Sequence, residues 1–108
     1  MTNTLFIRSS PETTNIQYYV PTTGVSIQIT RAKEAIVLLN PAGTLATLTL
    51  VLPTSGVENG DTVLISTSQI LTALTITGTI VGTLTALALG GFAKFQYSAS
   101  GLKWFRVG

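Results

Sequence analysis

Four carboxylates and six cations are the only charged side chains in this 108-residue sequence, which has no histidine and no cysteine. A pair of carboxylates can run glycoside hydrolysis when one acts as acid and the other as base or nucleophile. The candidates are Glu12, Glu34, Glu58 and Asp61. Glu58 and Asp61 flank Asn59-Gly60, which places them at a turn, where carboxylates are expected to be solvated and to hold the turn. A hard cation wants six to eight oxygen ligands, and two carboxylates supply too few. Zinc lacks its common nitrogen and sulfur ligands here. Nucleophilic catalysis by serine or threonine needs a base, normally histidine, and none exists. Lys33, Lys94 and Lys103 lie beside or within expected half-exposed strands, where they remain solvated. The residues predict no catalytic group, no metal site and no cofactor.

The cations Arg8, Arg31, Lys33, Lys94, Lys103 and Arg106 are scattered and form no dense run, which argues against a nucleic-acid surface. The most apolar stretch, Ile70 to Leu89, is broken by threonines and glycines and would make a poor lipid-facing helix, so no membrane insertion is expected. Gly78-x-x-x-Gly82 and Gly90-Gly91 lack the lysine or helix context of a phosphate loop or a membrane packing motif and read as turns or close approaches.

The scaffold is far more legible than the chemistry. The chain holds 19 Thr, 9 Ile and 8 Val, β-branched side chains that fit a pleated sheet and lose rotamer freedom in a helix. Val25–Thr30 alternates apolar and polar residues with the period of a half-buried strand. Ala35–Leu39 is a short apolar strand closed by Asn40-Pro41-Ala42-Gly43. In Thr44–Leu52, Leu48, Leu50 and Leu52 share one face and Thr47, Thr49 and Val51 the other, and Pro53 ends the strand. Asn59-Gly60 signals a tight hairpin leading into Thr62–Ser66. Ile70–Thr77 and Thr79–Ala86 follow, with Gly78 as a bend and Gly82 as a bulge or close approach. Phe92–Ser98 and Leu102–Val107 make a hairpin with aromatic cross-strand pairs.

Seven or eight strands at roughly ten-residue spacing, with no connection long enough for a crossover helix, predict an all-β fold: a compact antiparallel β-sandwich or small barrel. Threonines on both strand faces also permit three chains wound around a common axis, which periodicity does not distinguish from compact domains. Residues 25–108 would form the sandwich domain. Residues 1–24 would be an extended N-terminal arm or first strand, and Leu5, Phe6, Ile7, Ile16, Tyr18, Tyr19 and Val20 would supply its apolar contacts. Trp104 and Phe105 are adjacent, so a regular strand turns them to opposite sides. One would anchor the core and the other would face a subunit or capsid contact.

Thr47–Ser66, TLTLVLPTSGVENGDTVLIS, resembles a module of tailed-bacteriophage virion proteins: an alternating strand ending in Leu-Pro, a loop ending in Asn-Gly-Asp, and a strand of the T-V-x-I kind. The later LTALTITGTIVG, LALGG and FAKFQYSASGLKWFRVG are similar in character, so the resemblance spans residues 35–108. It implies a non-enzymatic structural protein located in the virion. The part implied is a homotrimer that decorates or cements the capsid exterior by binding the major capsid protein. The alternative is a head-fibre or tail-fibre piece that binds a host surface receptor, a glycan or a protein.

Overall fold

The computed structural model describes residues 14–108, and in them the chain forms nine strands: β1 (Thr14–Tyr19), β2 (Ser26–Gln28), β3 (Glu34–Leu39), β4 (Leu45–Val51), β5 (Thr62–Thr67), β6 (Leu71–Thr77), β7 (Ile80–Val81), β8 (Phe92–Ser98) and β9 (Lys103–Arg106). They lie in two sheets, one of order β1-β3-β5-β8-β9-β7 and one of order β2-β4-β6. Strands β1, β3 and β5 are parallel neighbours, and so are β2, β4 and β6. The chain therefore lays one strand in the first sheet, crosses to the second, and returns one step further along. This is a β-solenoid of three turns.

The expected sandwich or barrel is corrected by this topology. A sandwich needs neighbouring strands that run antiparallel, whereas among the described residues only the strand pairs β5–β8 and β8–β9 do so. The terms that rested on a trimeric sandwich, capsid decoration and cement among them, lose that architectural basis. The Asn59-Gly60 hairpin is corrected as well. Gly60 takes a positive φ of 90°, but the turn joins β4 of one sheet to β5 of the other, and its N–H donates to the Tyr97 carbonyl at 2.9 Å.

The register stacks apolar on apolar, through the parallel strands and on into the antiparallel β8. Ala35 lies on Val63 and Val63 on Phe95, while Val37 lies on Ile65 and Ile65 on Ala93. In the second sheet Leu48 stacks on Leu74, and Ile27 on Leu50 and then Ile76. All of these side chains are buried between the sheets. The period of two seen in Leu48, Leu50 and Leu52 thus points inward as the alternation requires.

Both ends of this apolar column are closed. At the far end β8 and β9 turn back antiparallel and bury Phe95 and Trp104. Beside them Leu87 bridges the edge of β6 at Leu71. Two glycines permit close packing there. The Cβ of a residue at Gly78 would lie 3.1 Å from the Leu52 Cβ, and one at Gly82 equally close to the Arg106 Cβ, each at a positive φ. At the near end the column is stopped by an amide. Gln17 stands where later turns carry Val37 and Ile65, and it is buried. Its Nε2 donates to the Thr30 carbonyl at 2.9 Å, and its Oε1 accepts from the Thr30 N–H at 3.0 Å. Replacing Gln17 by Ala strips both partners from Thr30. Unfolding in urea should show a loss of about 1–3 kcal/mol, the usual cost of a stranded buried group. A change within about 0.5 kcal/mol would mean that the amide does not plug the column.

Candidate assembly surface

The two sheets present opposite outer faces. On the three-stranded sheet the outward rows are Ser26–Thr49–Thr75, Gln28–Val51–Thr77 and the pair Thr47–Ala73, a surface dominated by hydroxyls, with one amide and only Val51 and Ala73 apolar. On the six-stranded sheet the even-numbered residues of β1, β3, β5 and β8 face out. One row runs Ile16–Ile36–Leu64–Lys94 and the next Tyr18–Leu38–Ser66–Phe92. Ile36, Leu38 and Leu64 are half-buried by their neighbours, whereas Ile16, Tyr18 and Phe92 are 65%, 59% and 62% exposed. Parallel sheets normally have both faces covered. Here one face is packed on the core, and the other is an apolar patch with nothing against it among the described residues.

Polar groups rim this patch. Thr14 Oγ1 donates to Glu34 Oε1 at 2.6 Å. On the opposite side Asn40 Nδ2 donates to the Tyr18 hydroxyl at 2.8 Å, and Ser68 Oγ donates to Asn40 Oδ1 at 2.7 Å. An apolar centre with a polar rim is the anatomy of a protein contact.

Leu5, Phe6 and Ile7 lie outside the described residues, as does Glu12. Ile16 and Tyr18 belong to the apolar face, and Val20 continues it, 61% exposed. Tyr19 turns inward and is half-buried, with its hydroxyl 3.4 Å from Gln17 Oε1. Residues 14–24 thus open the first turn of the solenoid, which β2 completes. Trp104 is the core anchor of its pair: it is buried, its indole N–H donates to the Pro53 carbonyl at 3.0 Å, and its ring meets Tyr97 edge-on at 5.4 Å. Phe105 faces out, where a shallow groove of about 380 Å³ is lined by Asn59, Gln96, Tyr97, Ser98 and Phe105. Ile36, Leu38 and Leu64 were not singled out by the sequence, and Phe92 entered only as one of the aromatics of the last two strands. The signal was the run Ala35–Leu39, which is apolar on both faces of its strand.

Asp61 and Glu58 meet on one cation, Arg31. Asp61 is fully buried rather than solvated at a turn tip. It accepts from Arg31 Nε at 2.7 Å, from Arg31 Nη2 at 2.9 Å and from the Glu58 N–H at 2.8 Å. Glu58 adds a longer contact of 3.4 Å to the same guanidinium from an exposed position. The hydrogen bond to Asp61 holds Arg31 still more firmly protonated than usual. Both acids thus contact one cation, Asp61 through two short bonds and Glu58 through one longer contact. Among the described residues no three potential metal ligands of the His, Cys, Asp or Glu type come together, and no helix is long and apolar enough to cross a membrane.

No family model matches the chain, and no curated protein matches it.

Proposed function

We propose that this chain is a non-enzymatic structural module of a virion that holds a protein neighbour on the outer face of its six-stranded sheet. The observation that carries the reading is the contrast between the two outer faces: hydroxyl-rich on one sheet, isoleucine, leucine, tyrosine and phenylalanine on the other. A surface kept for solvent alone would have the first character on both sides. The likeness of residues 35–108 to phage virion proteins directs the first test to phage particles. A solenoid closed by β8 and β9 suits the fibre alternative better than a shell-covering plate, because its stacking direction has a distinct finished end.

Purified chain added to tailed-phage particles grown without it should co-sediment with them saturably. The double variant Phe92→Ser/Leu64→Thr changes only outward positions of β8 and β5, and it should bind at least about tenfold more weakly, a loss of about 1.4 kcal/mol. Unchanged binding by the variant would overturn the role of the face. Saturable binding to a glycan array, with none to particles, would also overturn it. That result would move the function to the groove beside Phe105, whose ring, amides and hydroxyls suit stacking on a sugar.

A further inference from the structure

The near end of the solenoid carries a second feature, in its backbone rather than its side chains. The Tyr19 carbonyl accepts from the Asn40 N–H at 2.9 Å, so it points toward β3. Backbone direction alternates along a strand. Asn15 and Gln17 therefore also turn their N–H and C=O groups to β3, and Thr14, Ile16 and Tyr18 turn theirs the other way. Among the described residues no backbone group meets them.

Open edges of this kind are normally blunted by charge, proline, a bulge or short length. The other edges follow that rule. Strand β7 is two residues long, β2 is three, and the far edge of β6 is bridged by Leu87. Strand β1 is six residues, TNIQYY, with no charge and no proline. Its sequence is also complementary to itself. In an antiparallel pair centred on Gln17, Ile16 falls opposite Tyr18 of a second copy, Tyr18 opposite its Ile16, and Thr14 opposite its Val20. Ile16 and Tyr18 turn their backbone groups to the open edge, so each Ile16–Tyr18 pair exchanges two hydrogen bonds. On the outer face each pair sets an aromatic or polar side chain against a β-branched one, a favourable cross-strand match.

We infer that two copies of this chain join end to end by antiparallel pairing of β1 with β1 about a two-fold axis at Gln17. The axis is normal to the sheet, so both interiors stay on the same side and the two apolar faces become continuous. The contact is isologous and closes on itself. It rests on the backbone edge and stands whether or not the face binds a neighbour.

Sedimentation of the full chain over a range of concentrations tests it. The wild-type chain should form a dimer, and Ile16→Ala should retain it. Ile16→Pro removes an N–H that faces the open edge and leaves the β1–β3 ladder intact, so it should weaken the dimer at least about tenfold relative to Ile16→Ala. The double variant Ile16→Lys/Tyr18→Lys places like charges opposite each other and should be monomeric. Ile16→Lys/Tyr18→Glu places opposite charges there and should dimerise at concentrations where the first does not. Phe92→Ser/Leu64→Thr should dimerise as the wild type does, which separates this contact from the face. A wild-type monomer at every concentration, a trimer, a proline variant as tight as its alanine control, or equal behaviour of the two charged variants would each overturn the inference.

Discussion

Trp104→Ala should lower the melting temperature by roughly 12–40 °C. Truncating a buried aromatic costs about 3–5 kcal/mol, and in a domain near this size each kcal/mol moves the midpoint by about 4–8 °C. The expected cost here comes from three separate contacts. The indole fills the end of the column where β9 folds back, it meets Tyr97 edge-on at 5.4 Å, and its N–H holds the Pro53 carbonyl at 3.0 Å. Pro53 follows β4, so this one bond ties the terminal hairpin to the second turn across the molecule. Trp104→Phe keeps an aromatic ring and strands the carbonyl, so it should fall between Ala and wild type, with a loss of about 1–3 kcal/mol. Phe105→Ala, on the outward side of the same strand, should stay within about 0.5 kcal/mol. Thermal unfolding followed by circular dichroism decides the matter. A Trp104→Ala protein that melts within about 3 °C of the wild type would show that the hairpin does not seal the core.

That seal was half legible in the sequence. Adjacent Trp104 and Phe105 in a strand must face opposite ways, and the aromatic hairpin of Phe92–Ser98 with the final strand is where it was expected. The strands themselves were legible for the same reason, because side-chain alternation reports which residues share a face. It does not report which way the neighbouring strand runs. Parallel neighbours need a connection of a dozen or more residues, commonly a helix, and no helix was visible, so antiparallel pairing seemed to follow. In the solenoid the connection is itself a strand of the other sheet: β4 carries the chain between β3 and β5, and β5 carries it between β4 and β6. Solenoids often betray themselves by a fixed repeat. Here the register carries Thr14 to Glu34 and then to Thr62, two steps of unequal length, so no period shows.

The apolar face was hidden by a related ambiguity. Ala35, Ile36, Val37, Leu38 and Leu39 give no clue as to which alternate set is the core, and an apolar run is equally consistent with a strand buried on both faces. Only the register places Ile36 beside Ile16 and Leu64, and Leu38 beside Tyr18, turning five scattered residues into two rows. The buried amide of Gln17 was illegible for the opposite reason. A glutamine between Ile16 and Tyr18 fits a solvated position, and its partner Thr30 becomes visible only when the first turn closes.

Asp61 was placed at a solvated turn by its neighbours Asn59 and Gly60, and its burial leads to the second large effect. Asp61→Ala should cost about 2–3 kcal/mol in urea unfolding. Breaking a buried ion pair typically costs about 3–5 kcal/mol, and the lower figure applies because the Arg31 side chain keeps access to water and can also turn to Glu58. The loss is not confined to charge. The carboxylate also accepts the Glu58 N–H at 2.8 Å, and the Asp61 backbone meets both Glu58 and Tyr97. The residue therefore fixes the crossing from β4 to β5 and attaches it to β8 at the same point. Amide exchange at Glu58 and Gly60 should accelerate in the variant well before exchange in the core of β5 does. Glu58→Ala removes the exposed partner of the same cation and should stay within about 0.5 kcal/mol, as surface ion pairs do. Equal losses for the two variants would mean that the Arg31 cluster is held from its exposed side, and the crossing would then have to be stabilised by its glycine and proline backbone alone.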